Sequence, residues 1–273
     1  MKNTKFQNNV AMAIIKLIAA TVVLILVFLL GKILISGVPH ISWKFLVTPS
    51  KAFTAGGGIS VQIFNSFYLL ILTLLISFPI SLGAGIYLAK YAAKNKITSL
   101  IRMVIEILSS LPSVVVGLFV FLVCVVQMQI GFSILAGAIA LTFFNLPLLT
   151  RNIEESIKAV PNLQLEGGLA LGLSKWKTIT KIILPEALPG IITGVILSAG
   201  RVFGEAAALI YTAGQSAPAV DFTNWNIFDE TSPLNLMRPA ETLAVHKKKR
   251  ILYILSIVGK SVFIDWQTLA KSS

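Results

Sequence analysis

Five stretches of this chain, at roughly 14–36, 66–89, 104–127, 132–150 and 190–213, are apolar for long enough to cross the hydrocarbon core of a bilayer, which takes about 20 residues. That feature leaves few folds open. No water is present at that depth to satisfy backbone N–H and C=O groups, so each stretch must close its hydrogen bonds within itself as a helix. Composition agrees, with 56% of the 273 residues hydrophobic, 12% charged and a mean hydropathy of +0.85. The expectation is an all-α, polytopic transmembrane helical bundle. The first run follows Lys2 and Lys5 as a secretory signal would, but it is long, and "ISGVPH" after it offers no small-x-small cleavage site. It reads as a retained anchor, residues 1–13 preceding it, with Lys16 and Lys32 reaching toward the two interfaces.

The net charge of +12 is a topology signal rather than a nucleic-acid footprint, because of where the charges fall. Lys2 and Lys5 precede the first run; Lys90, Lys94, Lys96 and Arg102 join the second and third; Arg151, Lys158, Lys175, Lys177 and Lys181 join the fourth and fifth. The loops between carry only Lys44, Lys51 and Arg238. The excess of basic residues on cytoplasmic loops places the N-terminus and the 151–189 segment in the cytoplasm.

Chemistry of its own is hard to find in this chain. His40 and His246 have no neighbouring ligand at metal-binding spacing, and no serine or carboxylate dyad suited to intramembrane proteolysis is visible. "GKS" at 259–261 has Ile254 where a phosphate-binding loop needs its first glycine. The single cysteine, Cys124, can form no intrachain disulfide and reads as a small core residue. No cofactor, no metal and no ATPase site of the chain's own are expected.

The segment "EGGLALGLSKWKTITKIILP", residues 166–185, is helical in rhythm yet too polar to cross a membrane. Pro161 suits a first helical turn, Gly172 permits a reversal that a side chain would hinder, and Pro185 disfavours continuing a helix through Leu184. Two short helices meeting at a glycine are predicted, with Trp176, Ile179 and Ile183 on one face and the lysines off it. By pattern alone such a hairpin could lie on anionic lipid or present itself to a protein partner.

Span five holds Arg201 and Glu205 among apolar neighbours. A charge at mid-bilayer costs at least about 2.5–3.5 kcal/mol on insertion scales. Gly190, Gly194, Gly200 and Gly204 read as small residues that let helices approach closely. On a continuous helix Gly190, Gly194, Arg201, Glu205 and Ala208 share one face, within roughly 60° of one another. An i,i+4 ion pair that lowers the cost of burial is one reading; a water-lined path, with the planar arginine fork offered to an oxyanion, is the other.

Spacing adds a resemblance. Glu166, five residues, Gly172, nine residues, Ile182, then Leu184-Pro185 is similar to the EAA loop of bacterial ABC importer permeases, with Gly167-Gly168 standing where that motif has two alanines. The substitution should loosen the first helix by roughly 1 kcal/mol per glycine. Together with "FPISLGAGIYLAKYA", "IEILSSLPSVVVGLF", "NLPLLTRNIEESIKAVP" and "GRVFGEAAALIYTAG", the chain from about 39 to 246 resembles the permeases of the phosphate-specific (Pst) ABC importer, PstA type. Ala206 and Ala208 stand where that family has threonine and proline. The resemblance implies a type I ABC importer permease fold over 14–246. It makes 161–185 the loop that couples to an ATP-binding subunit, and Arg201 and Glu205 the phosphate-pathway residues. It also implies a second permease subunit of PstC type as partner, an extracytoplasmic phosphate-binding protein, and a multi-pass place in the cell membrane among lipid. Permeases for sulfate, molybdate or phosphonate share the loop; a secondary transporter or channel would need an ion site or filter that is not seen. After "MRPAETLAVH" the pattern departs: 247–273 is a basic tail in place of the family's last span, and 251–259 is too short to cross about 30 Å. Either this tail lies on the interface or the reading frame has shifted.

The charge pattern predicts loops 90–102 and 151–189 inside and 37–65 and 215–246 outside. In a Cys124→Ser background, Thr223→Cys should react with a membrane-impermeant thiol reagent in intact cells and Ser99→Cys should not; labelling of Ser99→Cys would overturn the orientation.

Overall fold

The computed structural model describes residues 2–49, 57–93, 95–214 and 220–240, all helix or loop among those described. The expected tail 247–273, with the family span it replaces, lies outside the described residues, as do Glu241–His246. The chain divides at residue 60 into two units, each described by itself.

In the first unit, α1 (Lys2–Gly37) is one continuous helix whose apolar stretch, Gln7–Gly37, is long enough to span a bilayer. None of that stretch is buried within the chain, as suits a helix that is apolar all round. A short α2 (Trp43–Val47) follows, capped by the Ser42 Oγ accepting from Phe45 N at 3.2 Å.

The second unit is organised around α6 (Ile134–Ala159), from which α3 (Ser60–Ile86), α4 (Lys96–Ser110), α5 (Ser113–Val120), α9 (Leu184–Gly204) and α10 (Ala207–Thr212) take their positions. Ala136, Gly137, Ala138 and Ala140 are buried on α6, and such small residues let neighbouring backbones come close where lipid offers no hydrophobic drive between helices. α3 runs parallel to α6: Leu69 lies beside Gly137, the Asn145 Nδ2 donates to Ser77 Oγ at 3.3 Å, and Gly85 faces Ile153. α9 runs antiparallel, bringing Gly190 against Ser156, Gly194 against Asn152 and Val202 against Leu141. Polar Thr73, Ser77 and Asn145 are fully buried between two apolar clusters, one holding Leu69, Leu141 and Val202, the other Ile86, Leu149, Ile153 and Ile191.

Three expectations need correction. Span 104–127 is not one straight helix: α4 and the helix Ser113–Gln127 meet at a 98° bend. The cause is Pro112, whose ring excludes the helical region for Leu111, found extended at φ −63°, ψ 138°. Span five is also broken, since α9 ends at Gly204 and α10 begins at Ala207. Conversely, Pro185 does not stop its helix. The chain is helical from Lys175 through Gly204, passing through a π-helical turn at Ile179–Ile183, and a widened turn of this kind accommodates a proline that lacks its N–H donor.

The glycines divide likewise. Gly190 and Gly194 do sit at close contacts, a Cβ on either falling within 3.0 Å or less of α6 side-chain atoms, whereas Gly200 and Gly204 have nothing within 4 Å of the position a Cβ would take. The expected loosening at Gly167-Gly168 is also only half right. α7 (Asn162–Ala170) forms, and Gly168 is needed there because a Cβ would run into the Thr178 side chain, while Gly167 faces open space. Gly168→Ala should therefore destabilise the protein by about 1–3 kcal/mol, Thr178→Ala should rescue it, and Gly167→Ala should be neutral or stabilise by about 0.5–1 kcal/mol. Thermal unfolding in detergent checks this; a Gly168→Ala protein as stable as wild type would contradict the packing.

Candidate functional site: an exposed hairpin and a broken helix

The hairpin at one end of the second unit is built by local rules. α7 ends in a Schellman motif: Gly172 takes φ +78°, its N–H donates to Leu169 O at 2.9 Å, and Leu173 N–H donates to Gly168 O at 3.1 Å. Ser174 then caps α8 (Lys175–Thr178), its Oγ accepting from Lys177 N at 3.4 Å. The inner face is fixed by Ile179 and Ile183, both fully buried against Ile86, Leu149, Ile153 and Ile157. Trp176 does not share that face as predicted; it is 58% exposed, along with Leu163 and Leu171 at 77% and 81%. Glu166 is exposed beside them, Ile182 and Leu184 are half-buried, and Pro185 is exposed. The hairpin thus projects an apolar rim with a carboxylate in it, held rigidly from behind.

Sequence reasoning missed how the hairpin is tied to the bundle. Glu154 of α6, its side chain 8% exposed, accepts from Arg102 Nε at 2.9 Å and pairs with Lys158. The same Arg102 donates through Nη2 to Leu88 O at 2.9 Å, so one guanidinium joins α4, the π-helical turn Tyr87–Tyr91 that continues α3, and α6. Lys90 reaches Asn162 Oδ1 at 3.4 Å, and Lys175 lies 4.5 Å from the centroid of the Tyr91 ring. The Glu154–Lys158 pair is legible at i,i+4 spacing; the Arg102–Glu154 contact, 52 positions apart, has no local signature.

Arg201 and Glu205 lie at the break between α9 and α10, and the break separates their roles. Glu205 is extended, at φ −74°, ψ 129°. Its Oε1 accepts from Ala207 N at 2.8 Å and Ala208 N at 3.4 Å, binding the positive start of α10. Arg201 remains in the last turn of α9, half-buried, its Cζ 4.0 Å from the centroid of the Phe144 ring. Among the described residues no ion pair joins the two, and no hydrogen bond occupies an Arg201 N–H. The i,i+4 strut is therefore absent. A guanidinium held by its face against an aromatic ring keeps its in-plane N–H edge available. Non-helical backbone at membrane depth is tolerated only where protein or a water-filled cavity surrounds it. Here α5 protects one side, Gly117 approaching so closely that a Cβ would lie 2.6 Å from Ala208 Cα. Among the described residues no group of His, Cys, Asp and Glu is placed to hold a metal ion.

Residues 81–258 match the family model described as the binding-protein-dependent transport system inner membrane component. The chain is 51% identical over 244 residues to the "Probable ABC transporter permease protein YqgI" of Bacillus subtilis, covering 89% of this chain and 83% of that protein. It is 36% identical over 217 residues to the "Phosphate transport system permease protein PstA" of Yersinia pestis, covering 80% of this chain and 66% of the relative. At 33% identity it matches the protein of the same name from Pasteurella multocida over 90% of this chain and 80% of the relative. The fold is similar to a chain of the MetNI methionine ABC transporter in an inward-facing conformation, with a TM-score of 0.53 at 17% identity, covering 75% of this chain and 94% of that one. A PstA-like sequence, an all-helical type I permease fold and a protruding hairpin agree: this chain belongs to the family of binding-protein-dependent transport system inner membrane components, as a multi-pass membrane permease subunit of an ABC importer.

Proposed function

We propose that this permease conducts inorganic phosphate, entering the cell under the drive of a separate ATP-binding subunit. The observation that carries the proposal is Arg201: a cation at a helix break within the membrane, steadied by Phe144, with no carboxylate partner among the described residues. An unneutralised guanidinium there costs free energy unless something anionic visits it, and its planar fork fits two oxygens of a tetrahedral oxyanion. The relatives named as PstA support phosphate among the oxyanions. Glu205 contributes by holding α10 open as a separate element rather than by neutralising Arg201. The exposed rim of the hairpin around Glu166 and Trp176 is the surface for the ATP-binding subunit, and the pathway is completed by a second, PstC-like permease subunit. The N-terminus and the hairpin are cytoplasmic in this reading, and a phosphate-binding protein delivers the anion from outside.

Phosphate uptake per permease molecule in the membrane tests the pathway, with sulfate and molybdate as competitors. Arg201→Ala should lower uptake roughly 10- to 100-fold at unchanged abundance, the range of about 1.5–3 kcal/mol for a hydrogen bond to a charged group, and Arg201→Lys should fall between. Glu205→Gln keeps an acceptor oxygen for Ala207 and should transport better than Glu205→Leu, which releases α10. Normal uptake by Arg201→Leu would remove the pathway, and competition by sulfate as strong as by phosphate would remove the substrate. For coupling, Gly172→Pro or Glu166→Lys should leave the permease in the membrane but separate ATP hydrolysis from uptake; unchanged uptake with normal copurification of the ATP-binding subunit would remove the docking role.

A further inference from the structure

At the end of the second unit opposite the hairpin, the first turns of α3 meet a cation that the importer reading does not use. Arg238, in the loop 220–240, is 3% exposed. Its Nη2 donates to Asn65 Oδ1 at 2.6 Å and to Pro233 O at 3.0 Å. Its Nε and Nη1 are buried and have no hydrogen-bond partner. Asn65, itself fully buried, must turn its oxygen to the arginine, which only donates, and its own Nδ2 is left without an acceptor. Three positions earlier Gln62 is buried with Oε1 unpartnered, and a carboxamide turns about its last bond to present either end.

The protein does not cancel this charge. Among the described residues no carboxylate lies within 4.0 Å of Arg238. Asp221 and Asp229 of the same loop accept from Thr223 and Thr231 instead, and Glu230 is exposed. The neighbouring phenol, Tyr68, donates its proton to Leu234 O at 3.0 Å and so is neutral. Burial pulls the Arg238 guanidinium down to about 10, which still leaves it charged at neutral pH. A buried charge is costly unless one of opposite sign compensates it. Neutral acceptors such as Pro233 O satisfy an N–H group but leave the charge in place.

Accessibility and stiffness narrow what compensates it. The unpartnered nitrogens are closed to solvent, so neither a side chain of another protein nor a lipid headgroup reaches them. The surroundings are held in one shape, with Ile134 N donating to Arg238 O at 3.0 Å, Leu135 N to Leu236 O at 2.8 Å and Ala240 N to Ala213 O at 2.7 Å. We infer that this end of the molecule binds one small monovalent inorganic anion, of halide size, between the Arg238 guanidinium and the Asn65 amide. Chloride has the required chemistry: a compact single charge that accepts from several N–H groups and asks for no acceptor in return. A tetrahedral oxyanion needs more room and more donors than these two side chains supply. The bound anion neutralises the buried guanidinium and fastens the base of the loop to α3.

The test is equilibrium dialysis of the purified full-length protein, in its complete transporter, against radioactive chloride in a sodium gluconate buffer. Asn65→Asp keeps an oxygen for Arg238 Nη2 and replaces Nδ2 by a fixed negative charge, so it supplies the counter-ion from within. It should fold and bind one chloride fewer per copy of this chain than wild type. Exchange of gluconate for chloride should raise the thermal unfolding temperature of wild type by roughly 2–4 °C and leave that of Asn65→Asp unchanged. Arg238→Gln should lose the same chloride; where it does not fold, Asn65→Asp decides alone. Equal chloride binding by wild type and Asn65→Asp overturns the inference. Displacement of the bound chloride by phosphate as readily as by bromide overturns it too, since a halide-sized site excludes the larger ion. Neither result touches the role of Arg201, which the uptake measurement reads separately.

Discussion

The close packing of α6 against its neighbours is the contact on which the other positions depend. In lipid, helices gain nothing by hiding apolar surface from one another, so association rests on dense contact and on hydrogen bonds. Ala136, Gly137, Ala138 and Ala140 on α6, with Gly85, Gly190 and Gly194 facing it, allow that contact. Ser77 and Asn145 add a hydrogen bond between the two apolar clusters. α3 is held parallel and α9 antiparallel, and both helix ends of functional interest are fixed by where α6 begins and ends.

This packing is what makes the two breaks possible. Backbone groups freed at Leu111–Pro112 and at Glu205–Ala206 would be expensive in hydrocarbon. At the second break the Glu205 carboxylate accepts two of the freed N–H groups, and α5 closes over Ala208 through Gly117. The break turns what would have been an ion-paired strut into two separate devices: an anchored carboxylate and an arginine whose donor edge is free.

Each end of the second unit is held by an arginine side chain. At the hairpin end, Arg102 binds Glu154 and Leu88 O, joining three helices through one planar group. At the other end Arg238 donates through Nη2 both to Asn65 of α3 and to Pro233 O of its own loop. Arg102 uses two nitrogens of its fork in this way, which a lysine's point charge could not replace.

The sequence by itself determined the class of fold, the approximate spans and the hairpin with its turn at Gly172, and it marked Arg201 and Glu205 as two charges within an apolar run. These are local quantities: hydropathy over some twenty residues, the conformational freedom of one glycine, and motif spacing. The sequence also carried the Glu154–Lys158 pair, since four positions on a helix is a neighbour. Tertiary structure decided the rest. Pro185 and Pro112 look alike as helix breakers, yet one is absorbed into a π-helical turn backed by the buried Ile179 and Ile183, while the other bends its span by 98°. Gly168 and Gly200 look alike as small residues, yet only the first has a neighbour that a Cβ would strike. Arg201 and Glu205 look like a pair at i,i+4, yet the start of α10 claims the carboxylate. In each case the deciding partner is separated in sequence or lies across a break in the helix, and periodicity along a single helix cannot report on either.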